Sequence, residues 1–165
     1  MVVRLLLFYL LLLILQGALT VLLAPWPTPD LFLLAMLTML WRLPAWQLVV
    51  LGYGVGLLQD VMGHGALGFH ALGLAGAALV ASSARSLISH GGLLERLLIV
   101  GSAQLAKWLV FLILLWWLHE PGDVVGILMR IALPETALTL LAAVWLLPWG
   151  EALVAKSSLF RKELL

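Results

Sequence analysis

Cysteine and asparagine are absent from the 165-residue chain, and charge is scarce: nine Lys or Arg and eight Asp or Glu, 10% of the residues, with a formal net charge of +1. The missing cysteine excludes disulfides, thiol chemistry and Cys-type metal sites. Soluble domains carry about a quarter charged residues and roughly 45–50% apolar ones, whereas 64% of this chain is apolar and its mean hydropathy is +1.17. So few charges cannot coat a soluble surface, and the small net charge makes no case for nucleic acid. Two catalytic motifs are also missing. Without Gly-x-Ser-x-Gly or His-Glu-x-x-His, serine and zinc hydrolysis in the membrane lack their nucleophile or ligands. An aspartyl mechanism needs two carboxylates that share a proton; Asp60 and Asp123 keep that option formally open. No catalysis, metal or cofactor is expected.

What is present is a series of apolar runs. A membrane-crossing helix needs about 20 apolar residues, so the length admits at most six crossings and leaves no room for a soluble catalytic domain. The first run, residues 5–24, follows Arg4 and passes Gly17 and Ala18 without an Ala-x-Ala site, which favours a retained span over a cleaved signal peptide. Pro25-Trp26-Pro27-Thr28-Pro29-Asp30 ends it, with Thr28 or Asp30 placed to cap the next helix. The second span, residues 28–43, crosses only if Arg42 snorkels to the interface. Further spans are expected at 45–60, 66–84, 97–118 and 124–147. Residues 150–165 form a basic tail, either an interfacial helix or only a positive-inside signal.

Cytoplasmic loops retain Lys and Arg. With the N-terminus inside, Arg4, Arg42, Arg85, Arg96, Lys156, Arg161 and Lys162 all lie on the cytoplasmic side, while Asp30, Asp60, Glu120 and Asp123 fall in outer loops. The expected fold is therefore an all-α integral membrane protein: one polytopic domain, a six-helix bundle with both termini cytoplasmic.

Three charges fall within the spans, where they are expensive and need partners. Lys107 lies about 15 Å from the inner end of its helix and Glu135 about 16 Å from the outer end of the next, at 1.5 Å per residue. Both sit near the midplane with opposite sign. They are expected to pair in the bundle interior, in a network with Gln104 one turn from Lys107, either fixing two helices or serving as a proton relay or ligand site. Arg130, about 9 Å deep, joins this set of buried charges or snorkels towards Asp60, Asp123 or a headgroup phosphate. Pro134 removes a helical hydrogen bond beside Glu135 and predicts a kink.

The most patterned stretch runs through spans three and four. Gly52-Tyr53-Gly54-Val55-Gly56-Leu57-Leu58-Gln59-Asp60 holds a small-xxx-small pair, Gly52 and Gly56, that lets another helix approach closely. Gly68, Gly73, Gly76 and Ala77 make a similar surface. His64 and His70 flank the intervening turn without the carboxylate pattern of a zinc site.

With Pro29-Asp30, Gly52-x-Gly54-x-Gly56-Leu57-Leu58-x-Asp60 and Gly65-x-Leu67-Gly68-x-His70-Ala71-Leu72, the chain resembles the rod shape-determining MreD family. The match covers about residues 29–72; beyond it the layout agrees in hydropathy only, and His64 and Lys107 match no family role. The resemblance implies a non-enzymatic subunit of the bacterial cell-wall elongation machinery in the cytoplasmic membrane. Such a subunit binds the single membrane helix of an MreC-like protein and so helps control the RodA and PBP2 synthase pair, peptidoglycan synthesis and rod shape, with MreB filaments at the cytoplasmic face and lipids as further neighbours. Carried onto residues, it implies partner binding through Gly52, Gly56, Asp60, Gly68 and His70.

In length the chain also resembles signal peptidase II, but that family's Asn-containing motifs cannot exist here. The paired-Asp pattern of the phosphatidyltransferases is missing as well. In architecture the chain is similar to the six-helix S subunits of energy-coupling vitamin transporters, which implies an alternative function, small-molecule binding in an outward pocket. Those subunits dock through an Ala-x-x-x-Ala surface on their first span, which residues 5–24 lack.

Overall fold

A computed structural model describes residues 2–63, 66–87, 92–119 and 123–155. His64, Gly65, His90, Glu120 and the tail cations Lys156, Arg161 and Lys162 lie outside these residues, as does the side chain of Arg4. The described residues contain helices and turns and no strand. In chain order the helices are α1, Val2–Leu22; α2, Leu31–Leu37; α3, Ala45–Met62; α4, Phe69–Leu87; α5, Leu93–Trp117; and α6, Val124–Ala155, which includes a π turn at Leu128–Ala132.

Among the described residues three helices, α3, α5 and α6, are long and apolar enough to cross a membrane, and the apolar part of α1, Leu7–Leu22, is shorter. The expected span at 28–43 is corrected most. Its helix has seven residues, about 10 Å of rise, and residues 38–43 continue as turns. Pro44 ends the segment, since the residue after such a turn run cannot extend a helix through a missing N–H. The expected loop at 85–96 is also shorter, because α4 runs on to Leu87 and α5 starts at Leu93. The last helix absorbs residues 150–155 of the expected tail.

The short α2 is the centre of the molecule. Leu31, Phe32, Leu33, Leu34, Met36 and Leu37 are all buried, and every other helix touches it. A helix apolar all round is one enclosed on all sides. Buried helix ends leave backbone groups that need partners, and other elements supply them. At the start, Asp30 N–H donates to Thr139 Oγ1 (2.9 Å), Leu31 N–H to Gln16 Oε1 (2.8 Å) and Leu33 N–H to Asp30 Oδ1 (2.9 Å). In the turn run beyond the far end, Arg85 donates to the carbonyls of Leu43 (2.7 Å) and Leu40.

Around this core α3, α4 and α5 pack side by side, α4 in the middle. Small residues set the spacing. A Cβ at Gly52 would stand 2.8 Å from the Leu74 carbonyl oxygen and Met36 Sδ, and one at Gly56 would collide with Ala71 and the His70 carbonyl. On the opposite side of α4, Gly73 lies against Phe111 and Gly76 against Val110. Gly150 on α6 likewise admits Thr38 and Phe8. Arg96 pairs with Glu151 at 3.0 Å, tying α5 to α6 at the end where Arg85 also sits.

Candidate functional site

The hydrogen-bond requirements of the α2 N-terminus bring together a cluster of charges. Asp30 caps α2 through Oδ1, which leaves Oδ2 facing α5, where Lys107 Nζ donates to it at 2.5 Å. From α6, Glu135 Oε1 accepts from the same Nζ at 2.5 Å and from Gln104 Nε2 at 2.7 Å. Thr139, one turn beyond Glu135, donates to the Glu135 carbonyl (2.7 Å) and accepts from Asp30 N–H. The helix widens into a π turn just before Pro134, at the place where a kink was expected. Such turns widen a helix by one residue per turn, and they recur at functional sites.

Burial makes this cluster energetically decisive. The side chains of Lys107 and Asp30 are each 2% exposed, and that of Glu135 is 14% exposed. Lys107 therefore has both carboxylates as first neighbours and little water, the condition under which Coulomb attraction is only weakly screened. Its ammonium also lies 5.4 Å from the Phe111 ring centre and 5.8 Å from that of Trp108, within cation–π range.

The expected contact of Lys107, Glu135 and Gln104 is thus present. Two expectations are corrected. Arg130 is exposed and takes no part in the cluster. Asp30, assigned to an outer loop, is instead the third charged member.

A second carboxylate, Asp60, is also drawn inward from its expected loop. It is 4% exposed and receives the N–H groups of Gly68 (2.8 Å), His70 (3.0 Å) and Ala71 (3.2 Å), with His70 Nδ1 at 2.8 Å. These are the free amides that begin α4, so Asp60 caps the neighbouring helix. Gly68, at φ +95°, makes the turn that aims them, a conformation that glycine adopts without strain. Asp123, the other carboxylate of the aspartyl option left open by the sequence, is exposed and caps α6 through Gly126 N–H at 3.0 Å. Asp60 and Asp123 form no shared-proton pair among the described contacts.

These contacts correct the expected partner surface. Gly52, Gly56 and Asp60 are buried against α4 of the same chain. Gly68 and His70 are half-buried in the turn that Asp60 holds. The small-residue pattern announced a close helix approach without saying whose, and a connection of only six residues makes α4 the nearest candidate.

Two cavities adjoin these elements. One, about 320 Å³, is lined by Gln16, Thr28, Asp30, Gln59, His70 and Lys107, with Trp26, Trp108, Phe111 and Glu135. The other, about 190 Å³, is a wholly apolar groove between α1, α2 and α3, with Tyr9, Leu12, Phe32, Ala35, Met39 and Val55 in its wall. Among the described residues no group of three or more His, Cys, Asp or Glu is arranged to hold a metal. No family model matches the chain, and no curated protein or solved structure does either.

Proposed function

We propose that this chain is a non-enzymatic scaffold of the MreD kind, spanning the bacterial cytoplasmic membrane six times with both termini in the cytoplasm. It accepts the membrane helix of an MreC-like protein and so helps regulate the RodA and PBP2 pair, peptidoglycan synthesis and rod shape. MreB and lipids are its neighbours on the cytoplasmic side. One observation carries the reading: the residues behind the family resemblance are the ones that hold α2, α3 and α4 in register, through Asp30 and Asp60 as caps and Gly52 and Gly56 as a close-packed seam. That register opens the apolar groove between α1, α2 and α3. A groove with no polar lining suits an apolar helix, whose association in lipid depends on close packing.

Filling the groove tests the proposal. Ala35→Trp and Val55→Trp are expected to abolish co-purification of an MreC-like partner while the protein remains inserted. Undiminished recovery from both variants would refute the groove as the docking face.

A second reading, solute binding in the manner of the S subunits, is favoured by the 320 Å³ cavity with its charged wall, which lies within the size range of small-molecule sites. Mass spectrometry of the purified protein separates the two: a stoichiometric small molecule supports solute binding.

A further inference from the structure

The charges in the wall of the larger cavity do not balance. Its titratable groups are Asp30, His70, Lys107 and Glu135, and Asp60 stands behind His70. If His70 is protonated, its charge cancels that of Asp60; if it is neutral, the deficit grows. In either state, with Asp30 and Glu135 both ionised, the two carboxylates on Lys107 leave at least one negative charge in excess. An unbalanced charge in a low-dielectric interior is expensive and is met either by a proton on the open carboxylate or by a counter-charge.

The wall also has unused hydrogen-bonding groups. Glu135 Oε1 is occupied by Lys107 and Gln104, but its Oε2 accepts from no described residue, and this is the most open carboxylate of the cluster. Gln59 Oε1 is a buried acceptor without a partner. Trp108, 9% exposed, has a buried indole N–H without a partner. Trp26, Trp108 and Phe111 add aromatic surface to the same wall. Alkali and alkaline-earth ions want several oxygen ligands at once, and the two free ones here, Glu135 Oε2 and Gln59 Oε1, are a poor match. An organic ammonium needs only acceptors for its N–H groups and tolerates aromatic faces.

We propose that this cavity binds a small organic ammonium that also carries an acceptor oxygen. Its N–H groups donate to Glu135 Oε2 and Gln59 Oε1, its positive charge offsets the excess carboxylate, and its oxygen takes the Trp108 N–H. A free solute and a lipid headgroup share this chemistry. The cluster lies about 15 Å below the nearer end of α5, a depth that favours the free solute. The site is independent of the helix-docking groove, and it gives the solute-binding reading a ligand class.

Ethanolamine titrated into the full-length protein in detergent tests the site, with matched sodium chloride as control. Saturable binding at one equivalent and a raised melting temperature are expected. Glu135→Gln should weaken binding at least about tenfold, as expected when a charge-assisted hydrogen bond is lost. Trp108→Phe, which keeps a ring and removes the N–H, should weaken it by a smaller factor. Stabilisation by phosphatidylethanolamine nanodiscs without an effect of free ethanolamine would retain the ammonium site and assign its source to lipid. No effect of either beyond the salt control, or binding undiminished in Glu135→Gln, overturns the proposal. Partner recovery by the groove is read in a separate assay, so either proposal can fail alone.

Discussion

Replacing Lys107 with methionine keeps nearly the same length and removes the only positive charge between Asp30 Oδ2 and Glu135 Oε1, each 2.5 Å from Nζ. Two carboxylates then face one another in a site where the lysine and Asp30 side chains are 2% exposed. Removing one partner of a buried pair costs about 3–5 kcal/mol, whereas replacing the whole set with neutral groups is often close to neutral. For a chain of this length that cost lowers Tm by roughly 6–20 °C. The variant Lys107→Met should show this loss when the unfolding of detergent-purified protein is followed by tryptophan fluorescence. Glu135→Gln leaves the Lys107–Asp30 pair intact and should shift Tm far less. The triple variant Lys107→Met, Asp30→Asn, Glu135→Gln should regain most of the loss, since an Asn side-chain oxygen still caps Leu33. The reasoning is refuted if Lys107→Met melts like the parent, or if the triple variant is no more stable than Lys107→Met alone.

Four further substitutions probe the scaffold. Gly56→Ala places a methyl group against Ala71 and the His70 carbonyl, and the forced separation of α3 from α4 should cost about 1–3 kcal/mol, read as a lower Tm and faster proteolysis. Gly68→Ala meets open space but keeps φ at +95°; the strain should cost about 1–2 kcal/mol, measurable as a Tm loss without any effect of added side-chain bulk. Arg85→Ala deprives the Leu40 and Leu43 carbonyls of their donor and should destabilise by about 1–3 kcal/mol, whereas Arg130→Gln on the exposed side of α6 should stay within about 0.5 kcal/mol.

The meeting of Lys107, Glu135 and Gln104 was legible in the sequence because it needs only depth and sign. Residues three apart share a helix face, and opposite charges at equal depth in consecutive helices have few other partners in an apolar interior. The π turn was not legible. Pro134 announces a lost hydrogen bond but not whether the helix bends or widens to accommodate it.

The carboxylates were hard to place for a different reason. Asp30 and Asp60 stand next to turn-forming residues, so adjacency assigns them to loops, whereas their hydrogen-bonding capacity is better matched to helix starts buried in the bundle. A seven-residue helix inside an apolar interior must find donors and acceptors for both of its ends. Asp30, Thr139 and Gln16 meet the first end, and Arg85 the carbonyls of the turns that follow the second. Once Asp30 is committed to that start, its other oxygen is anionic and buried, and Lys107 becomes necessary. Lys107 in turn permits Glu135, which brings the excess charge. The charged cluster is therefore a consequence of starting α2 inside the bundle. A helix that began at a solvated surface would leave its first amides to water, and neither Asp30 nor Lys107 would then be needed at that depth.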